Sequence, residues 1–356
     1  VAWTAAGVLL IGGAGASYLY YRLNSNIHSV DISTALGHDR PAPLANGATD
    51  ILVLGSDSRS GPDSEYGRNS GTARSDTAMV VHLDKGRRSG SVVSIPRDTL
   101  VARPACTGPG GIVQPAVPSV MFNTAYQVGG PVCAVKTVER LTGLRMDHYV
   151  EVDFTGFKHV VNALNGVPLT TLRAINDPMS HLDLPAGTHT LNGDQALGLV
   201  RTRHGVADGS DLGRIELQQA FMKALVDRIS RLGVLGDPTK LFSVADTATR
   251  AVTTDSGLGS VDKLMGLAQS VQHLSSSQVT TVTLPVRYAV SDPNRVEPIG
   301  DRAAMVWAAL KAGRPIPPAA TKGSVAENVA GGGVVGAAPV PSPSPGAPSP
   351  SPSNGH

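Results

Sequence analysis

Three short stretches each set an arginine within two residues of an aspartate. "GSDSRSG" (55–61) carries Asp57 and Arg59, "ARSD" (73–76) carries Arg74 and Asp76, and "IPRDTLV" (95–101) carries Arg97 and Asp98. Each lies at the end of an apolar run that reads as a strand: "DILVLG" (50–55), "TAMVVHLD" (77–84) and "SVVSI" (91–95). Charged residues at strand ends are where open α/β sheets place their ligands. Taken singly, each stretch reads equally well as a polar loop or a local ion pair. Three at strand ends favour one shared charged site.

A fourth stretch, "RTRHGVADGSDLGRIELQQ" (201–219), adds Arg201 and Arg203 ahead of a long helix. On that helix Asp211, Arg214 and Gln218 fall at i, i+3 and i+7, on one face. The same face continues as Phe221, Met222, Leu225, Ile229 and Leu232. Arg214 and Gln218 thus occupy positions that later turns give to core residues, and the pattern predicts that they point inward. The alternative is a capped helix with Arg214 paired to Asp211.

Guanidinium forks grip phosphate oxygens in pairs and keep their charge. Two aspartates suit a hard divalent cation such as Mg²⁺, which keeps waters and shares phosphate oxygens. Many arginines with one cation fit more than one phosphate. The chemistry expected is therefore a diphosphate site with Mg²⁺, where charge neutralisation assists in-line phosphoryl transfer.

The elements that must position these residues alternate. A helix is expected at 130–143 from the spacing of Val132, Val135, Val138 and Leu141, closed by Gly143. "HYVEVDF" reads as a strand and "TGFKHVVNALNG" as a helix; further helices are expected at 192–203, 211–233 and 260–274, with a last strand at 278–286. The mixture implies an α/β or α+β sandwich around one sheet.

The chain has 356 residues, 41% hydrophobic, with a formal net charge of +2. The near-neutral balance argues against a nucleic-acid partner. Residues 1–22 begin with an uncharged run from Val1 to Tyr21, long enough to span a bilayer as a membrane anchor, and Tyr18, Tyr20 and Tyr21 suit an interface belt. Its alternative is a cleaved signal peptide ending near Ala14-Gly15-Ala16. Residues 23–48 are expected as a stalk, 49–317 as the folded domain, and 318–356 as a Gly-rich, then Pro/Ser-rich disordered tail. Cys106 and Cys133 are the only cysteines. In an exported chain they suggest one disulfide, the alternative being two unrelated buried thiols. There is no P-loop, no G-x-S-x-G elbow and no H-E-x-x-H zinc motif.

In order along residues 50–290, the run "ILVLGSDSRSG … ARSDTAMVVHLD … VVSIPRDTLV … FNTAYQVGGP … HYVEVDFTGFKHVVNALNGV … LPAGTHTLNGDQALGLVRTRHG … DLGRIELQQAFMKAL" resembles the LytR-CpsA-Psr (LCP) family. The resemblance implies an α-β-α sandwich, a central mixed β-sheet flanked by helices, with an apolar tunnel for a polyprenyl chain. It implies a membrane-anchored, outward-facing enzyme that transfers a glycopolymer from a polyprenyl diphosphate carrier to peptidoglycan. The products are of the wall teichoic acid, arabinogalactan or capsule type. Hydrolysis of the same bond, or a non-catalytic envelope regulator, are the competing functions. By the same resemblance Asp57 and Asp76 hold Mg²⁺, and Arg59, Arg74, Arg97, Arg201, Arg203, Arg214 and Gln218 surround the diphosphate. Asp98 and Asp211 are structural or catalytic. Phe221, Met222 and Leu225 line the tunnel or belong to ordinary core. The Pro/Gly-rich segment 102–120 resembles actinobacterial members, in which Cys106 would tie it to Cys133.

Overall fold

Period-two alternation of branched apolar residues makes strands with two buried faces when both are covered. The computed structural model of the chain, describing residues 17–56, 75–202, 211–232, 238–325 and 334–336, shows this in its central sheet. The sheet has seven strands: β1 (His28–Val30), β2 (Thr49–Ser56), β3 (Ser75–Leu83), β4 (Gly90–Ile95), β9 (His148–Asp153), β14 (Val252–Asp255) and β15 (Val279–Thr283), in the order β1-β14-β9-β2-β3-β4-β15. Pairing is mixed: β2 runs parallel to β9 and antiparallel to β3, and β4 runs parallel to β15. The α-β-α sandwich implied by the motifs is the observed architecture.

Small accessory pairs decorate the sheet. β5 (Leu100–Arg103) pairs with β8 (Val117–Met121), and β6 (Cys106–Thr107) with β7 (Val113–Gln114). β10 (Val167–Thr171) pairs with β13 (Gly187–Leu191), β11 (Ile175–Asp177) with β12 (Leu182–Leu184), and β16 (Val286–Ala289) with β17 (Asp292–Pro298). The helices are α1 (residues 17–26), α2 (Ser33–Leu36), α3 (Asn123–Thr142), α4 (Phe154–Ala163), α5 (Gly193–Arg201), α6 (Asp211–Leu232), α7 (Pro238–Ala251), α8 (Val261–Val271) and α9 (Gly300–Lys311).

Alternation along β2 assigns the layers. Leu52 and Leu54 join Val80, Val93 and Ile95 under Ala134, Val135 and Val138 of α3 and Val306, Trp307 and Leu310 of α9. Ile51 and Val53 face the other way, with Val81 and Val150, under Leu267 and Val271 of α8. A separate cluster joins α4, α5 and α6 to β10–β13 through Val161, Leu169, Leu191, Leu199, Leu217 and Phe221.

α3 starts seven residues ahead of the expected helix. Gly129 and Gly130 leave helical geometry inside it, Gly130 at φ 58°. Pro131 follows, at the kind of position where a helix restarts at no hydrogen-bonding cost. Cys106 and Cys133 are bonded and pin strand β6 to α3 just beyond this break.

The boundaries of the domain differ from those expected. The segment 23–48 is part of the fold, not a stalk. β1 is an edge strand of the sheet, Leu23, Ile32 and Leu36 are buried, and Leu44 packs on the main core. These single apolar anchors are too far apart to produce a period. α1 is staked to α7 and α8: Arg22 Nε donates to Asp246 (3.1 Å), as does Asn26 Nδ2 (3.1 Å), Tyr20 Oη donates to Asp262 (2.9 Å), and Asn24 Oδ1 accepts from Val261 N (2.9 Å). At the other end the fold runs on past 317: Ala320 is buried, and Val325 N donates to Val286 O (3.0 Å). Residues 1–16 of the expected anchor lie outside the described residues. Among the described residues no helix is long and apolar enough to cross a membrane.

Arg40 fixes the N-terminal segment. Its Nη2 and Nε donate to Glu139 of α3 at 2.5 and 3.1 Å, with both side chains buried, and Glu139 Oε1 also accepts from Met146 N. Removing one partner of a buried pair strands the other's charge. Arg40→Ala should therefore lower the unfolding free energy by about 3–5 kcal/mol in urea titration; a loss below about 1 kcal/mol would show that the segment is not tied down by this pair.

Candidate functional site

The strand directions bring several chain ends to one edge of the sheet. β2 and β9 end there, side by side, with Ser56 opposite Asp153. β3 begins there, and β4 ends there, with Ile95 opposite Ala78. The β2–β3 register shifts at this edge: Gly55 faces Thr77 and Ser56 faces Ser75, so Asp76 is the extra residue of a bulge. Bulges recur beside active sites.

Above this edge, between the sheet and α4–α7, lies a cavity of about 650 Å³. Val53, Gly55, Thr77, Met79 and Val152 are its floor; Phe157, Val160, Leu197, Phe221, Met222, Leu225 and Ala248 are among its apolar walls. Arg97, Arg201, Arg214 and Gln218 line the same cavity. Size and lining are those of a ligand site with few, placed polar groups.

Each polar side chain is set by its element. Arg201 ends α5, whose start is closed by a capping box: Asn192 Oδ1 accepts from Gln195 N (2.9 Å) and Gln195 Oε1 from Asn192 N (3.1 Å). The Arg201 guanidinium stands 4.9 Å from the centre of the Phe154 ring, in cation–π range. Next to it, Thr202 is fully buried and shares a hydrogen bond with Ser180 (2.8 Å). Arg214 is only 3% exposed and Gln218 5%, so the first turns of α6 are turned inward. Gln218 Nε2 donates to Thr77 Oγ1 (3.0 Å) and to Val200 O (2.9 Å), joining α6 to β3 and α5. Gln219 Nε2 reaches Ser94 and Thr283 on β4 and β15.

The structure thus gathers Arg97, Arg201, Arg214, Gln218, Phe221, Met222 and Leu225 around one space. Asp57, Arg59, Arg74 and Arg203 lie outside the described residues, and of Asp76 and Asp211 only the backbone is described. Asp98 is near the cavity but does not line it. Among the described residues no group of three or more His, Cys, Asp or Glu is placed to hold a metal.

Two acidic residues of the lining, Asp153 and Asp177, are not singled out by the sequence reading. Asp153 carried a signal, since it ends the strand "HYVEVD" as the other charged residues end theirs. It caps α4, accepting from Gly156 N at 2.6 Å. Asp177 sits in a turn-like "NDPMS" with no distinguishing pattern. On the opposite face of the same edge Glu151 accepts hydroxyls from Tyr126 (2.7 Å) and Tyr149. Burial first, then the Glu151 carboxylate, hold both phenols well above their usual range, so they remain donors.

The lining thus sets three guanidiniums and two carboxyl side chains at one end of a largely apolar space. The sequence profile of the LytR_cpsA_psr family matches residues 19–312. The chain belongs to this family. It is 32% identical to "Cell wall biosynthesis protein LcpA" of Corynebacterium glutamicum over 80% of its own length, and it spans 59% of that relative. It is 30% identical to "Polyisoprenyl-teichoic acid–peptidoglycan teichoic acid transferase TagT" of Bacillus subtilis, over 79% of this chain and 84% of the relative. Among solved structures, TagV of Bacillus subtilis superposes with a TM-score of 0.61 at 26% identity, over 77% of this chain and 99% of that one.

The cavity's width depends on how closely α4 and α7 approach. A Cβ on Gly156 would stand 2.6 Å from the carbonyl oxygen of Ala251 and 2.7 Å from its Cα. Neither backbone atom can rotate away, so Gly156→Val must push α7 outward. Its expected cost is about 1–3 kcal/mol of stability, read from denaturant unfolding. A variant as stable as the parent would mean that α7 is free to shift.

Proposed function

We propose that the chain is a phosphotransferase that moves a glycopolymer from a polyprenyl diphosphate carrier to peptidoglycan. The observation that carries this reading is a single cavity with arginines and apolar walls together. The name of TagT, a teichoic acid transferase acting between a polyisoprenyl carrier and peptidoglycan, supports it. So does that of LcpA, a cell wall biosynthesis protein. The glycopolymer is of the teichoic acid, arabinogalactan or capsule class.

In this reading the diphosphate lies against Arg97, Arg201 and Arg214, with Arg59, Arg74 and Arg203 adding charge. Phe221, Met222 and Leu225 face the polyprenyl chain. A hydroxyl oxygen of the acceptor glycan attacks the sugar-linked phosphorus. The bond from that phosphorus to the bridging oxygen breaks, and polyprenyl phosphate leaves with the electron pair. Asp211, near Arg214 on α6, is a candidate acceptor for the hydroxyl proton. Asp57 and Asp76 would hold Mg²⁺, which would supply charge neutralisation at the phosphates. The chain ahead of α1 would anchor the protein in the cell membrane by a single pass, with the domain on the outer side.

The purified chain, given a synthetic polyprenyl diphosphate sugar and Mg²⁺, should release polyprenyl phosphate. Release should fall at least about 100-fold in Arg97→Ala and in Arg203→Ala, the scale of losing a donor to developing charge. A chelator should stop it and added Mg²⁺ restore it. Full activity in either arginine variant would overturn the assignment. Labelled polymer appearing free in solution, in the presence of peptidoglycan, would identify a hydrolase instead.

The walls make a separate claim. Leu225→Trp fills the cavity, so polyprenyl phosphate should bind at least about tenfold more weakly, while inorganic diphosphate binding changes little. Equal loss of both ligands would mean that the walls are core and not a lipid surface.

A further inference from the structure

Arg97 lines the cavity and its neighbour Asp98 does not. The Asp98 carboxylate is instead shared between two guanidiniums. Its Oδ2 lies 3.6 Å from Arg97 Nε, and its Oδ1 lies 3.8 Å from Arg295 Nη1; both are ion-pair contacts, longer than hydrogen bonds. Arg295 belongs to β17, and its Nε is 3.6 Å from Asp292 on the same strand. Nothing in the sequence pattern sets it apart.

The backbone holds this arrangement. Val296 N donates to Asp98 O (3.4 Å), and Thr99 forms a parallel bridge with Val296. Thr99 turns back on Pro96, its N and Oγ1 donating to Pro96 O at 3.0 and 2.6 Å. Asn123 N, from the first turn of α3, donates to Arg97 O (3.1 Å). Both the hairpin β16–β17 and α3 therefore grip the Arg97–Thr99 turn, and the side chains of Arg97, Asp98 and Arg295 follow in alternating charge.

We infer that Arg295 is a positioning residue for the diphosphate chemistry: its charge draws one oxygen of Asp98, whose other oxygen attracts the Arg97 guanidinium and biases its orientation towards the cavity. This inference rests on the phosphotransfer reading above. It makes Asp98 an orienting group rather than the base that accepts the hydroxyl proton. The physical need is clear. An arginine side chain has much rotamer freedom, and a fork that meets a phosphate in pairs must be held in one plane. With Arg295 removed, the Asp98 carboxylate loses its outer restraint and can rotate off Arg97.

Two readouts on the full chain test this. One is the Arg97 Nε–Hε resonance, identified by its loss in Arg97→Lys. The other is turnover of the synthetic polyprenyl diphosphate sugar. Arg295→Gln should shift the resonance and lower kcat about tenfold, with KM changed by no more than about twofold. Arg295→Lys, which keeps the charge, should recover most of the rate. Asp98→Asn with Arg295→Gln should be no slower than Asp98→Asn alone, because the path runs through Asp98. An unmoved resonance in a stably folded Arg295→Gln, or losses that multiply in the double variant, would overturn the inference. If the parent chain releases no polyprenyl phosphate, the phosphotransfer reading falls, and the resonance alone decides whether Arg295 restrains Arg97.

Discussion

A guanidinium cannot be left alone in an apolar cavity, and Arg214, at 3% exposure, stands in one. Arg97 and Arg201 share the same lining. A buried charge is tolerated only when opposite charge and hydrogen bonds compensate it. Much of the architecture serves that requirement. Asp153 and Asp177 bring negative charge to the lining, Asp98 stands beside Arg97, and the Phe154 ring faces Arg201. Three arginines against two aspartates still leave the described lining positive. An anionic ligand would complete the balance, and the apolar walls would add affinity for whatever hydrocarbon that ligand carries.

The mixed sheet is what makes such a concentration of charge possible. Parallel and antiparallel neighbours are combined so that β2, β4, β9 and the start of β3 deliver loops to one edge. Helices packed on the opposite face keep that edge rigid. Glu151 does so directly, tying Tyr149 of its own strand to Tyr126 of α3. The cavity is then a consequence of uneven coverage. α8 closes the sheet over Ile51 and Val53, whereas α4, α5, α6 and α7 arch over Gly55 and Thr77.

How much of this was legible depends on the kind of signal. The strands β2, β3 and β9 and the helices α4 and α6 were readable because their apolar runs close at Gly, Asp or Asn, and β4 because Pro96 stops its apolar run. The inward turn of Arg214 and Gln218 was readable because they interrupt an apolar stripe. The helices α7 and α9 carry no motif, and the pattern-based reading leaves them out; α7 nonetheless supplies Ala248 to the cavity. The N-terminal segment looked like a stalk because Leu23, Ile32, Leu36 and Leu44 are buried one at a time, without a period. Asp177 and Arg295 owe their positions to tertiary contacts, for which a local pattern has no register.

The docking of α1 has a mechanical meaning. Tyr20, Arg22, Asn24 and Asn26 pin it to α7 and α8 at four points spread over less than two turns. α7 is also a wall of the cavity. A displacement delivered through α1 therefore reaches a wall of the cavity directly, through Asp246, without passing through the central sheet.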